Sequence, residues 1–258
     1  MRRNSPAAAD LGWLQVMLLP AAPYSVRHTL SRQTIGIAIE RQRGLHAFGG
    51  DGRRDFEAWP GEISVIQPGV ETFSESAHGG EYLVLRTEQP LSSGQPRAVL
   101  GADPRVCRGA LRLRRLLRQR GDAGLIENEA ALLLSHLARR CAPDNAWRPH
   151  RPAAMRGLLD AIDDGIDAAW RLQDMASLVQ QSPQRFFREF VCATGFTPHA
   201  YLMERRLQRA RRMLASGQAA IAEVAAACGF AHQSHLGAQM RRALACSPAE
   251  LRRAAALR

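Results

Sequence analysis

The segment Ser182-Pro-Gln-Arg-Phe-Phe-Arg-Glu-Phe190 carries the most suggestive spacing in the chain. Phe186 and Phe190 stand four apart and share one face of a helix, which leaves Gln184, Arg185, Phe187 and Arg188 on the opposite side. Those side-chain types suit the edges of base pairs. The Arg188 guanidinium matches guanine O6 and N7, the Gln184 amide matches adenine N6 and N7, and the Phe187 ring suits a thymine methyl. A poorer set follows the same spacing further on. There Leu236 and Met240 form the apolar pair, while Gln233, Ser234, His235, Gly237 and Ala238 are expected outward or near the helix entrance. Arg241 and Arg242 follow as candidates for phosphate contact.

Other chemistries find less support. His28, His46 and His78 fall where a small barrel could gather them as metal ligands or bases, but no H-x-H spacing with a following carboxylate accompanies them. The five cysteines, Cys107, Cys141, Cys192, Cys228 and Cys246, include no C-x-x-C pair, so neither a zinc site nor a disulfide framework is expected. They should stay reduced and pack mostly as small apolar groups. No Ser, Cys and His arrangement stands out as a nucleophile site, and a chain without lysine has no phosphate-binding G-x-x-x-x-G-K-[ST] loop. The reading is of a protein that is not an enzyme and needs no metal or cofactor.

Two kinds of element must position these residues. In the first hundred residues, Thr34 to Glu40 puts Ile35, Ile37 and Ile39 on one face at period two, the pattern of a half-buried strand. Short apolar runs recur at Trp13 to Leu19, Glu62 to Ile66 and Glu81 to Arg86, separated by Gly49-Gly50, Pro60-Gly61, Pro68-Gly69 and Gly79-Gly80. Many short strands joined by turns predict a sandwich or a small barrel. After Pro104 the period lengthens. Leu113, Leu116 and Leu117, then Ile126, Ala130, Leu133, Leu134 and Leu137, predict two amphipathic helices. The stretch 141–152 has three prolines and no apolar period and reads as a linker. From Met155 onward, beginning with the stripe Met155, Leu158, Leu159, Ile162 and Ile166, every signal is helical.

Within that helical part lies a duplication. Leu172, Met175, Ala176 and Val179 are repeated as Ile221, Val224, Ala225 and Cys228, an offset of 49 residues. Phe186 and Phe190 match Leu236 and Met240, Thr197-Pro198 matches Ser247-Pro248, and Tyr201 matches Leu251, all at an offset of 50. The second turn is therefore one residue longer. Each copy is a short helix, a tight turn and a second helix, the plan of a helix-turn-helix. Ser182 suits an N-cap with Pro183 at the first helical position, and Cys228-Gly229-Phe230 supplies a turn glycine. Thr197 to Ser216 reads as the helix that joins the two copies rigidly.

The ordered motifs 182–190, Thr194-Gly-Phe-Thr-Pro-His-Ala-Tyr-Leu202, Arg206 with 209–214, Ile221 to Phe230, Gln233-Ser-His235 and Ser247-Pro248 together resemble the DNA-binding domain of the AraC/XylS family, over residues ~155 to 253. The resemblance implies two recognition helices entering successive major-groove segments about one DNA turn (~34 Å) apart. This sequence departs from the family in having Ala238 where a basic residue is frequent, and Gln180 where the first turn often has glycine. The first copy is therefore expected to supply most base discrimination and the second chiefly to position the duplex. For the first half the resemblance implies a cupin-like barrel that binds a small effector, followed by helices that dimerise. Pro60 to Gly69 is its most family-like stretch. Pocket candidates there are His46, Trp59, His78, Tyr82 and Arg86, polar or aromatic groups near apolar strands.

The expected class is thus α+β: a cupin-like barrel over 1–103, a helical dimerisation segment over 104–140, a linker over 141–152 and a DNA-binding domain over 153–258. The expected function is a transcription regulator with double-stranded DNA, a small-molecule effector, a second copy of the chain and RNA polymerase as partners. The net charge of +11 agrees, although all 35 basic residues are arginine and alanine is abundant, so composition bias shares in that charge. Arg209, Arg211 and Arg212 have a solvated helix face as an equally good explanation. No run approaches the ~20 apolar residues of a spanning helix and no signal peptide is evident, so the expected location is cytoplasmic, away from membranes. Two alternatives stay open: a cupin-type sensor-enzyme fused to a DNA-binding domain, and a basic protein of membrane surfaces.

Overall fold

The computed structural model describes residues 7–50, 52–91, 96–141 and 153–256, which form two compact units, 7–141 and 153–256. The expected linker falls, apart from Cys141, outside the described residues.

The first unit is built from β1 (Ala7–Asp10), β2 (Leu14–Leu19), β3 (Tyr24–Thr29), β4 (Gln33–Ala38), β5 (Gln42–Phe48), β6 (Arg54–Ala58), β7 (Ile63–Ile66), β8 (Glu71–Ser76), β9 (Tyr82–Thr87) and β10 (Arg97–Leu100). They make a six-stranded sheet in the order β1-β2-β9-β4-β7-β10 and a four-stranded sheet in the order β3-β8-β5-β6, with antiparallel ladders throughout. Period-two alternation divides the larger sheet into two chemistries. Ile35, Ile37, Ile63, Val65, Leu83 and Leu85 are fully buried in one cluster with the helices α1 (Pro104–Gln119) and α2 (Ala123–Arg140). Their neighbours Thr34, Gly36, Ser64, Tyr82, Val84 and Arg86 face the other way, into a cavity that the smaller sheet also lines.

Helix α1 starts where Asp103 caps it, its carboxylate accepting from the backbone N–H of Arg105 at 2.8 Å and of Val106 at 3.2 Å. The helix is also held by charge. Glu81, fully buried beside β9, pairs with Arg114 at 3.2 Å and with Arg118. Removing one member of such a group would strand a buried charge.

The second unit contains α3 (Ala153–Asp164), α4 (Leu172–Leu178), α5 (Pro183–Thr194), α6 (Pro198–Ser216), α7 (Ile221–Ala227), α8 (Gln233–Leu244) and α9 (Pro248–Ala256). Helix α6 is the axle. It buries Tyr201, Leu202, Leu207, Ala210 and Leu214, and its Arg205 grips Asp163 of α3 through two hydrogen bonds of 2.6 and 2.8 Å. The core of the second copy, Leu207, Leu214, Val224, Cys228, Phe230, Leu236, Met240 and Leu244, is continuous along α6, α7 and α8. Among the described residues no helix is long and apolar enough to cross a membrane.

Candidate nucleic-acid interface

The repeat becomes two helix-turn-helix copies, α4–α5 and α7–α8, each packed on α6. Their agreement extends to the caps. Asp174 in the first turn of α4 accepts from the N–H of Arg171 at 3.3 Å, and Glu223, 49 residues later in α7, accepts from that of Ala220 at 2.8 Å. A carboxylate at this position satisfies a free amide and meets the positive end of the helix. The two turns also agree: Gln180 and Gly229, again 49 apart, both take positive φ, +55° and +71°. The second position requires glycine more strictly, because a Cβ on Gly229 would lie 2.7 Å from the Arg206 guanidinium. That guanidinium is itself fixed, donating to the carbonyls of Ile166 at 2.9 Å and Ala168 at 2.8 Å. Arg206 thus pins the α3–α4 turn against the turn of the second copy.

The second helix of the first copy is α5. Ser182 is its N-cap, the hydroxyl accepting from the Arg185 N–H at 3.4 Å, and Pro183 takes the first helical position. Phe186 and Phe190 have no exposed surface, stack edge-on at 5.4 Å, and continue into Tyr201 of α6 at 5.6 Å. With that stripe anchored, Gln184, Arg185, Phe187 and Arg188 are all exposed. Phe187 leaves 40% of its surface in water, an expensive place for an aromatic ring without a partner. Arg185 is tied to Glu189 at 2.8 Å, and Glu189 also accepts from Gln181 at 2.6 Å. These bonds hold the Glu189 carboxyl below its usual range. Arg188 has no hydrogen-bond partner among the described residues, so its planar fork is unengaged.

Helix α8 differs. Its N-cap is His232, whose Nδ1 accepts from the His235 N–H at 3.1 Å. His235 turns partly inward, its ring 5.5 Å from Phe230, leaving Gln233, Ser234 and Ala238 as the exposed side chains of the first two turns. Gly237 corrects the sequence reading. It is buried, with the Arg241 guanidinium and Pro248 of α9 packed beside it. Arg241 and Arg242 are exposed in the last turn. Cys192, also on α5, is exposed, unlike the buried Cys107 and Cys228.

The pocket candidates separate. His46, Tyr82 and Arg86 line the cavity of the first unit, whereas Trp59 and His78 do not. Trp59 is buried beneath the Arg41 guanidinium, 3.5 Å from its ring centroid, and His78 is exposed in the turn after β8. Sequence reading missed Tyr24 and Arg97, which also line the cavity, as does His28, noted there only among the histidines a barrel could gather. Among the described residues no three His, Cys, Asp or Glu side chains gather where they could hold a metal ion.

Residues 175–254, spanning both copies, match the family model described as a helix-turn-helix domain. The chain is 32% identical over 87 residues to the probable transcriptional regulator LumQ of Photobacterium leiognathi, covering 34% of this chain and 35% of that one. It is 29% identical over 140 residues to the HTH-type transcriptional activator RhaS of Escherichia coli, covering 53% of this chain and 41% of that one. A solved transcriptional regulator of Chromobacterium violaceum, described by its AraC-type DNA-binding domain, is 27% identical, covers 40% of this chain and 92% of that one, and has a TM-score of 0.38. The second unit thus carries a helix-turn-helix domain over 175–254, and the curated relatives named here are transcription regulators. The chain spans between 35% and 41% of the length of those two curated relatives.

Proposed function

We propose that the protein is a sequence-specific DNA-binding transcription regulator whose activity responds to a small molecule. The observation that carries this reading is the duplicated helix-turn-helix, with an exposed, hydrogen-bonding face on α5 and a common rigid support. Helix α6 has 19 residues, roughly 28 Å at 1.5 Å per residue, close to the rise of one DNA turn. In this reading Gln184, Arg185, Phe187 and Arg188 address one major-groove segment. Gln233, Ser234 and His235 enter the next, and Arg241 and Arg242 hold phosphates.

The two sheets around a cavity of about 370 Å³ support a cupin-like effector-binding role for the first unit, since that volume lies in the range of small-molecule sites. The exposed Leu125 and Leu132 of α2, 58% and 48% accessible, support a dimerisation face for the helical segment. Genome-wide mapping of DNA bound by the full chain, followed by footprinting, tests the reading. It should yield a recurrent motif whose protected elements are about one helical turn apart. Uniform genomic coverage that depends only on salt would overturn it.

A further inference from the structure

The cavity of the first unit contains two cations with little to balance them. Arg86 and Arg97 belong to one row of the larger sheet: Arg86 is opposite Thr34, Thr34 opposite Ile66, and Ile66 opposite Arg97. All four side chains face the cavity. The Nε of each arginine is buried without a hydrogen-bond acceptor, and neither guanidinium has an ion pair among the described residues. Both arginines are only partly buried, but an Nε buried without an acceptor is costly, and a fold keeps such a group where something else supplies the partner. The two are not equivalent. Arg97 lies against the Phe48 ring at 4.4 Å and feels the nearby Glu62, the one carboxylate in the lining. Arg86 has no such neighbour, and burial alone lowers its proton affinity.

The rest of the chamber is shaped for an aromatic body. His46 stacks on Phe56 with centroids 5.1 Å apart and planes within 6°, and meets Phe48 edge-on at 4.9 Å. Burial, with Arg97 and Arg54 near, pushes the His46 pKa down to about 4, so this aromatic wall is uncharged at neutral pH. On the smaller sheet His28, whose proton affinity is lowered by burial and by Arg86, shares a row with Thr72 and Phe48. Two strand steps of ~4.8 Å separate His28, near Arg86, from Phe48 by roughly 10 Å. Gly36 makes room for the Tyr82 ring, which crosses it to bring its hydroxyl 2.9 Å from Ser64; a Cβ there would lie 2.3 Å from that ring.

We propose that this cavity receives a compact aromatic carboxylate, the carboxylate on the Arg86 guanidinium and the ring against Phe48, His46 and Phe56. The inference rests on the effector reading above and narrows it to a chemical class. Guanidinium and carboxylate match as planar forks, with two parallel charge-assisted hydrogen bonds. Neutral isosteres leave Arg86 unpaired and gain only the apolar part.

The test is titration calorimetry on the full chain with four acids, benzoate, cinnamate, 2-naphthoate and indole-3-acetate, each beside its primary amide. At least one acid should bind at least tenfold more tightly than its amide, and Arg86→Gln should erase that preference while Arg97→Gln retains it. Arg86→Gln should melt no lower than the parent in the absence of ligand, because it removes an uncompensated cation. Equal binding of acid and amide, preference surviving Arg86→Gln, or no binding by any acid would overturn the proposal. The acid-to-amide ratio on the unaltered protein decides the class even if the variant fails to fold. Measuring DNA affinity with each bound compound separates the two readings. Amides that bind and shift DNA affinity would refute the anion class and keep the effector role. Acids that bind without shifting it would do the reverse.

Discussion

The two helix-turn-helix copies share their caps, their left-handed turn position and their support on α6, yet present different surfaces. In the first, three stacked aromatic rings, Phe186, Phe190 and Tyr201, lock α5 and turn a glutamine, two arginines and a phenylalanine outward. In the second, Leu236 and Met240 fill the equivalent space, His235 folds partly onto Phe230, and the outward positions hold glutamine, serine and alanine. In the proposed reading, a shared backbone plan therefore does not carry equal recognition. The scaffold is preserved by the buried stripe, while reading capacity depends on a few exposed positions that packing leaves unconstrained.

The sharpest way to break this comparison is to remove its anchor. Phe190→Ala should cost about 3–5 kcal/mol in chemical denaturation of the helical unit, as an aromatic core deletion leaves a cavity beside Phe186 and Tyr201. Met240→Ala, its counterpart, should fall in the lower part of the ~2–5 kcal/mol range, because flexible neighbours collapse more readily. A cost for Met240→Ala equal to or above that of Phe190→Ala would contradict the difference between the cores.

Next in size is the reading face. Arg188→Ala should lose about 1–3 kcal/mol of preference at one base position, measured by competition with single-base variants of the bound site. Arg242→Ala should weaken all sequences together and reduce the salt slope by about one. The turns give smaller effects of opposite sign. Gly229→Ala should destabilise by ~1–2 kcal/mol from its backbone alone, with a further loss if Arg206 is displaced. Gln180→Gly should stabilise by up to ~1 kcal/mol, relief of the left-handed backbone being partly offset by the greater freedom of the unfolded chain. Thermal unfolding of both variants checks the pair, and a shift of the same sign in each would refute the equivalence of the two turns.

The pH dependence of the first unit offers a separate check. A histidine kept neutral by its surroundings, with a pKa moved from 6.5 to about 4, costs nothing above pH 6.5. Below it the unfolded chain takes up the proton first, so stability should fall as pH drops from about 6.5 to about 4. His46→Phe should flatten that slope in denaturation curves taken across the same window.

Much of the helical unit was legible because its signals are local and repeated. Apolar spacing, capping residues and the 49-residue offset each point to the same elements. In the first unit, β2, β4, β7 and β9 were legible because one face of each enters an apolar core. The strands of the smaller sheet were not. β3, Tyr24-Ser-Val-Arg-His-Thr29, and β8, Glu71-Thr-Phe-Ser-Glu-Ser76, face a cavity and solvent, so neither face needs an unbroken apolar alternation. The cavity residues suffered for the same reason. Arg97 starts a four-residue strand with no periodic signal, while Trp59 looked like a ligand contact and instead packs under Arg41. Gly237 was expected outward or near the helix entrance from its position after the Leu236 core residue, which takes no account of the Arg241 side chain and Pro248 packed beside it.

The unequal copies are tested most directly by a binding-and-sequencing selection from random DNA on the full chain and on Arg188→Ala. The account predicts a bipartite motif with one sharp element and one degenerate element about a helical turn away, and Arg188→Ala flattening a position in the sharp element only. Two equally informative elements, or a motif unchanged by Arg188→Ala, would contradict it.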